Sequence, residues 1–354
     1  MTKIARNNLH GMQIIAYNQQ NKIRKIKRFQ IFVLARFLHV NKMPPQILMK
    51  RLVHKMKLQS LIDHATKYAD MTVAVAAAED EEVIDAVTMA LDRHFGKFVL
   101  YGDHEQIVQL LRRKGYANSE HIEVVHANSA VQAAELAVKA VHFNEANVLM
   151  KGNIPTAALL KAVLNKEYGL RTGKVLSHVA VFEVPGYDRF IMVTDAAMNI
   201  SPDLEQKAQI VANAVAVARS IGIDMPKVAP LAAVEVVNPA MPATVDAAAL
   251  TMMQKRGQIK DCIIDGPLAL DNAVSAIAAE HKRIDSEVAG RADILLVPDI
   301  EAGNMLYKSL VYFANAKVGA VIAGAKAPIV LTSRADSAES KLYSLALAVC
   351  SASK

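Results

Sequence analysis

The chain has no tryptophan, only two cysteines, and 5% aromatic residues across its 354 positions. Cys262 and Cys350 alone cannot make a disulfide scaffold, so a reduced, cytoplasmic setting is the expectation. Long apolar runs are missing as well. The best early one, Phe29 to Leu38, is about half the roughly 18 residues of a membrane helix and contains Arg36. No membrane partner is expected. With 15 glycines and 12 prolines the chain is neither collagen-like nor of low complexity. No G-x-G-x-x-G, Walker A loop or H-E-x-x-H occurs, and the histidines do not cluster at ligand spacing, so a metal site is not expected.

Acidic residues are absent from residues 1–55, which carry twelve Lys and Arg. The other 299 residues hold 29 basic and 34 acidic side chains, a net charge of −5. The formal +7 of the whole chain therefore belongs to the leader and is poor support for nucleic-acid binding by the fold. Three readings compete for residues 1–55: a phosphate-binding arm, an organelle transit peptide, or translated AT-rich spacer. The last is preferred, because a globular pattern opens abruptly at Met56 with MKLQSLIDHATKYADMTVAV. On that reading the leader is not part of the fold.

After Met56, short β-branched runs alternate with amphipathic stretches, which predicts an α/β fold with a mostly parallel sheet. Strands are expected at 71–76, 98–101, 122–126, 147–150, 228–235, 260–264, 293–297, 319–323 and 328–332. Between the first two, Val83, Ile84, Val87, Ala90 and Leu91 make one apolar helical stripe, with Gly96 placed for a cap. Another helix is expected over 203–220. One stretch breaks the rhythm: Val175–Val184 and Phe190–Thr194 flank Pro-Gly-Tyr-Asp, the signature of an antiparallel hairpin. A second domain is expected from near Gly173.

Ligands of open α/β sheets gather where strands give way to helices, so the polar residues there are the candidates. Lys151-Gly152-Asn153-Ile154-Pro155-Thr156 has the makings of an anion cradle or of an ordinary turn before a helix. Ser177-His178 lies inside the hairpin, where a buried histidine is commonly a core residue. Asp195 is followed by Asn199 and Asp203, which can equally cap the next helix. Asp265-Gly266-Pro267 and Pro298-Asp299 through Asn304 are acidic loops, suited to holding a group or to capping. In Thr332-Ser333-Arg334-Ala335-Asp336, Arg334 is placed to grip an oxyanion, whereas Asp336 and Glu339 have capping-box spacing.

Taken in order, KGNIPTAALLKAVL, SHVAVFEV, TDAAMNISPDLEQKAQI, DGPLALDNA, ADILLVPDIEAGNMLYKSL and VLTSRADS resemble the phosphate acetyl/butyryltransferase family. The resemblance runs from Met56 to Ser353. The short body, KGNIPT and SHVAVFEVPGYD resemble its butyryl branch more than its acetyl branch. It implies a two-domain fold like that of isocitrate and isopropylmalate dehydrogenases, with the active site in the interdomain cleft. One domain would combine 56–172 with 325–354, and the other would span 173–324. It also implies a homo-oligomer, commonly a dimer, and reversible transfer of a short acyl group between coenzyme A and inorganic phosphate. Acyl-CoA and phosphate would meet in a ternary complex; coenzyme A is then a co-substrate, and no cofactor is permanently bound.

By the same resemblance, Ser333 would hydrogen-bond the thioester, and Arg334 would bind phosphate. Acetyl-transferring relatives carry an acid a few residues later as base for the thiol, but that position here is Ser340. Glu339 and Asp336 are the nearest replacements, with Glu339 slightly preferred. Gly152, Asn153 and Thr156 resemble the family's second anion loop, and Asp299, Gly303 and Asn304 its cleft-lining loop. Ser177 and His178 fall in the matching hairpin, and Lys161 stands where relatives offer a cation to CoA phosphates. An acetyl rather than butyryl substrate is the nearer alternative. A decarboxylating dehydrogenase on the same scaffold is the more distant one, and it lacks the Asp-x-x-x-Asp pair after Asp265.

Overall fold

Seven of the ten strand pairings among the described residues are parallel and three antiparallel, and together they build one eleven-stranded sheet. The computed structural model describes residues 57–333 and 336–353, so the leader and Arg334 lie outside the described residues. The chain begins with α1 (Leu58–Ala65), β1 (Thr72–Ala76), α2 (Glu81–Asp92), β2 (Lys97–Gly102), α3 (His104–Lys114) and β3 (Ile122–His126). Next come α4 (Ala130–His142), β4 (Val148–Lys151), α5 (Thr156–Val163), β5 (Ser177–Glu183), β6 (Phe190–Thr194), α6 (Leu204–Ser220) and β7 (Lys227–Pro230). Then follow α7 (Pro242–Lys255), β8 (Ile263–Ile264), α8 (Leu270–Val274), α9 (Ala276–His281) and β9 (Ile294–Leu296). The last elements are α10 (Ile300–Tyr312), β10 (Lys317–Ala323), β11 (Ile329–Val330) and α11 (Ala338–Ala352).

Across the sheet the order is β3-β2-β1-β4-β11-β10-β5-β6-β9-β7-β8. β10 is antiparallel to both β11 and β5, and β5 to β6. The parallel block β3-β2-β1-β4-β11 therefore runs opposite to the block β6-β9-β7-β8. The predicted hairpin is the pair β5–β6, whose turn follows from Pro185-Gly186 with Gly186 at φ 87°.

Three predicted strands are shorter than expected. β7 leaves the sheet at Pro230, after which Leu231 makes a single bridge to Leu268, and Val236 and Val237 are exposed. β8 and β11 keep only two residues each. Apolar letters alone do not mark where such a run loses its neighbour. Helix 203–220 is as predicted, with Asp203 accepting from Gln206 N–H and Gln206 reciprocating in a capping box. At the end of α2 the left-handed residue is His94, and Gly96 follows two positions later.

Side chains alternate across the sheet, and the two faces are covered differently. One face carries a single apolar layer running from Phe98 and Val73 through Val148, Val179 and Val321 to Val228 and Ile294, under α1, α2, α6 and α11. The other face has two separate clusters. Ala74, Leu149, Ile322 and Ile329 pack under α4 and α5, while Ala180, Phe182, Val193 and Leu295 pack under α10 and its neighbours. Between them runs a seam.

Candidate active site

His178 stands at that seam. It is paired in register with Ile322, the last residue of the first cluster, and is followed two residues on by Ala180 of the second. Strand alternation puts Lys151, two residues past Leu149, on the same face at the end of β4, where it is buried. Met198, from the loop after β6, crosses the seam to pack against the first cluster.

His178 is 6% exposed, and its Nδ1 has no hydrogen-bond partner among the described residues. Its carbonyl accepts a 2.8 Å hydrogen bond from Thr194 Oγ1, and its ring lies 5.9 Å from that of Tyr307. Burial pushes the imidazole pKa down, against the charges of Asp195 and Asp336. Ser177, its neighbour in sequence, faces the other way. It accepts from Asn213 Nδ2 at 2.9 Å, under α6, so the structure does not bring it to this face.

Asp195 is 2% exposed and its carboxylate is fully engaged. It accepts from the N–H groups of Ala197 (2.9 Å) and Met198 (3.0 Å) and from Asn199 Nδ2 (2.6 Å). Asn199 also donates to Leu176 O at 2.8 Å, so it ties the loop to the start of β5 instead of capping α6. Asp299 is the N-cap of α10, accepting from Ala302 N–H at 2.8 Å. Gly303 packs directly on the Asp195 loop: a Cβ there would sit 2.6 Å from Asp195 O and 2.9 Å from Ala196 Cα. Asn304 Nδ2 reaches Ala196 O at 3.4 Å, a weak bond. Tyr307, one turn on, packs against both His178 and Phe182, and burial raises its hydroxyl pKa.

The last loop closes the group from the other side. Ser333 N–H donates to Asp336 Oδ2 at 2.7 Å, and Asp336 N–H returns to Ser333 O at 3.2 Å. The charge of Asp336 bears on both His178 and Tyr307. Lys341, buried on α11, donates to Asp336 O and pairs with Glu82 at 2.8 Å. Glu339 points elsewhere. It pairs with Lys317 at 2.8 Å and accepts from Tyr343 Oη at 2.9 Å, and the Lys317 bond holds its carboxyl below the usual range. The expected capping box is absent; Ser337 caps α11 and accepts from Ser340 N–H at 3.2 Å.

β4 and β11 are adjacent and parallel, so the loops carrying Gly152 and Ser333 leave the sheet at one edge. Gly152 is required there, since a Cβ would lie 2.0 Å from Ala77 O. Its N–H and that of Asn153 are bonded to Ala76 O and Ala77 O at 2.8 and 2.6 Å. Asn153 and Thr156 are exposed, as is Lys161 in the last turn of α5. No side chain caps α5, unlike α2, α3, α4, α6, α10 and α11. The Asp265 loop follows β8 at the far edge of the sheet, away from the seam.

Tyr307 and Lys341 escaped the sequence reading. Tyr307 sits three residues past Asn304, beyond the loop where a strand gives way to a helix, and Lys341 reads as one more solvated charge. An apolar cavity of about 670 Å³ adjoins α10, between Leu231, Met241, Val297 and Leu306. Among the described residues no three His, Cys, Asp or Glu side chains are grouped to hold a metal ion, and no helix is long and apolar enough to cross a membrane.

The family described as "Phosphate acetyl/butaryl transferase" matches residues 104–349. A probable phosphate butyryltransferase of Bacillus subtilis (strain 168) is 61% identical over 295 residues, which cover 83% of this chain and 98% of that protein. A phosphate butyryltransferase of Clostridium acetobutylicum is 51% identical over 276 residues, covering 78% of this chain and 91% of that one. Among solved structures, a branched-chain phosphotransacylase from Enterococcus faecalis V583 superposes with a TM-score of 0.70 at 38% identity, covering 80% of this chain and 99% of that one.

Proposed function

The chain belongs to the phosphate acetyl/butaryl transferase family, and from that premise we propose that it moves a butyryl group between coenzyme A and inorganic phosphate. The acyl C–S bond breaks, a C–O bond to phosphate forms, and free CoA and acyl phosphate result. What supports the site is the seam, a break in otherwise continuous apolar packing at which the buried His178 stands, with Tyr307 against it and the charges of Asp195 and Asp336 acting on it. Holding both substrates there lets proximity and preorganised charge supply the rate, without a covalent enzyme intermediate.

In this reading Ser333 hydrogen-bonds the thioester and Arg334 grips the phosphate bidentately. The uncapped start of α5, with Asn153 and Thr156, offers free N–H groups and the positive end of a helix to a second anionic group. Lys161, exposed, suits a CoA phosphate. Gly303 and Asn304 shape the opposite wall, and Asp299 fixes the helix that carries them. Of the two acids, Asp336 is the better placed toward the reacting atoms, because Glu339 is occupied by Lys317 and Tyr343. The apolar cavity beside α10 can take an acyl chain and part of the pantetheine arm. The reading extends to an isocitrate-dehydrogenase-like pair of domains, 56–172 with 325–354 and 173–324, that bound the cleft. It includes a homo-oligomeric, cytoplasmic enzyme.

Thiol release from acetyl-, propionyl-, butyryl- and isobutyryl-CoA, with and without phosphate, tests the reading. Release should require phosphate, and kcat/KM should rise about tenfold or more from acetyl to butyryl, as two added methylenes allow. Arg334→Ala should cut turnover and raise the phosphate KM while the protein stays folded. Phosphate-independent release, or wild-type kinetics in Arg334→Ala, would contradict it.

A further inference from the structure

We propose that the imidazole of His178 carries the proton that passes between phosphate and the coenzyme A sulfur. This rests on the transferase reading above and assigns a residue to a step that reading leaves open. Buried polar atoms in folded proteins nearly always have a partner, and His178 Nδ1 has none among the described residues. A histidine kept only for packing would be satisfied or replaced by an apolar residue. This one stands at the break between two apolar clusters, with the ring of Tyr307 against it and the charges of Asp195 and Asp336 acting on it.

The reaction needs such a group. When hydrogen phosphate attacks the thioester carbonyl, its hydroxyl proton must leave as the C–O bond forms. When the C–S bond breaks, the sulfur takes up a proton, and no electrons are gained or lost overall. A neutral imidazole can accept at one nitrogen and donate from the other, which fits a relay working in both directions. The acids are less suited. Glu339 is tied to Lys317, and Asp336 is tied to Ser333 N–H.

The groups around the ring suit a carrier. Tyr307 faces it from α10; the charges of Asp195, at the end of β6, and of Asp336, in the last loop, act on it; Ile322 on β10 adds no charge, and Lys151 lies on the same sheet face. Burial disfavours the charged ring, which suits a resting proton acceptor, and the two aspartates favour the imidazolium formed during the transfer.

The test measures phosphate-dependent thiol release from butyryl-CoA by the full chain and by His178→Gln and His178→Asn. We expect kcat to fall about 100-fold or more, the butyryl-CoA KM to stay within about threefold, and the melting profile to be unchanged. His178→Ala should regain activity in proportion to added imidazole. Turnover within about threefold of wild type, or a loss confined to KM, would overturn the proposal. If no variant folds, the wild-type profile decides. Activity must then fall on the acid side with an apparent pKa below the ordinary histidine value of about 6.5, and an acid limb at or above that value overturns it. A wild-type protein inactive on every acyl-CoA would instead refute the transferase reading.

Discussion

Gly303 occupies a space that no side chain can share. Its would-be Cβ meets Asp195 O at 2.6 Å, Val297 Cγ2 at 2.8 Å and Ala196 Cα at 2.9 Å, and two of those three atoms are backbone. The Val297 methyl can rotate away, but the backbone of the Asp195 loop is pinned by three hydrogen bonds to one carboxylate. Gly303→Ala must therefore push α10 outward, which should cost about 1–3 kcal/mol, typical of overpacking. Because Tyr307 rides on the same helix, kcat should fall along with the urea midpoint. Full activity at lowered stability would detach α10 from the reaction. At this scale the letters do not say why a glycine is needed. PDIEAGNMLYK marks Gly303 as special, but only the fold reveals that Asp195, over a hundred residues earlier, is its neighbour. His178 was legible as a residue of interest, while its separation from Ser177 onto opposite faces followed from strand register.

α11 shows how an element, more than any one residue, sets the last loop in place. Its residues Leu342 to Cys350 are buried against α1, α2, α6 and β10, and Lys341 anchors its first turn to Glu82 while holding Asp336 O. The two partners of this ion pair are unequal. The Lys341 side chain is 4% exposed and that of Glu82 53%. Lys341→Met leaves Glu82 in water and should cost only about 1 kcal/mol, as for a surface pair. Glu82→Ala leaves a buried ammonium with a single carbonyl and should cost roughly 3 kcal/mol. Urea midpoints of the two variants compare these directly, and equal losses would show that Lys341 is less isolated than its burial implies. Turnover should order them the other way, since only Lys341→Met frees Asp336. Helix positions were largely readable from apolar period and caps, as at Asp203 and Gln206. The start of α11 was misread because Asp336 and Glu339 mimic a capping box, while Ser337 and Ser340 are the pair that cap. The overrun of β7 past Pro230 has a related cause: Leu231 and Val234 are strand-like letters in a segment that, beyond the one bridge at Leu231, no strand accompanies.

Across the whole molecule, the α/β class, the mostly parallel pairing and the hairpin all came from letter patterns, because each is a local signal repeated many times. The strand order and the reversal of direction at β10 did not, since nothing local specifies which distant strands become neighbours. The apolar layer that spans one face without interruption joins β1–β4 to β5–β9 through α6 and α11. Residues 57–353 should accordingly unfold as one cooperative unit. Amide protection in β1–β4 and in β6–β9 should disappear at the same urea concentration, and two separated transitions would count against this. The same asymmetry constrains motion. A backing without joints allows flexing only toward the divided side, in the manner of a bound book. Any change in the angle between the two halves should therefore open or close the seam and leave the backing in place.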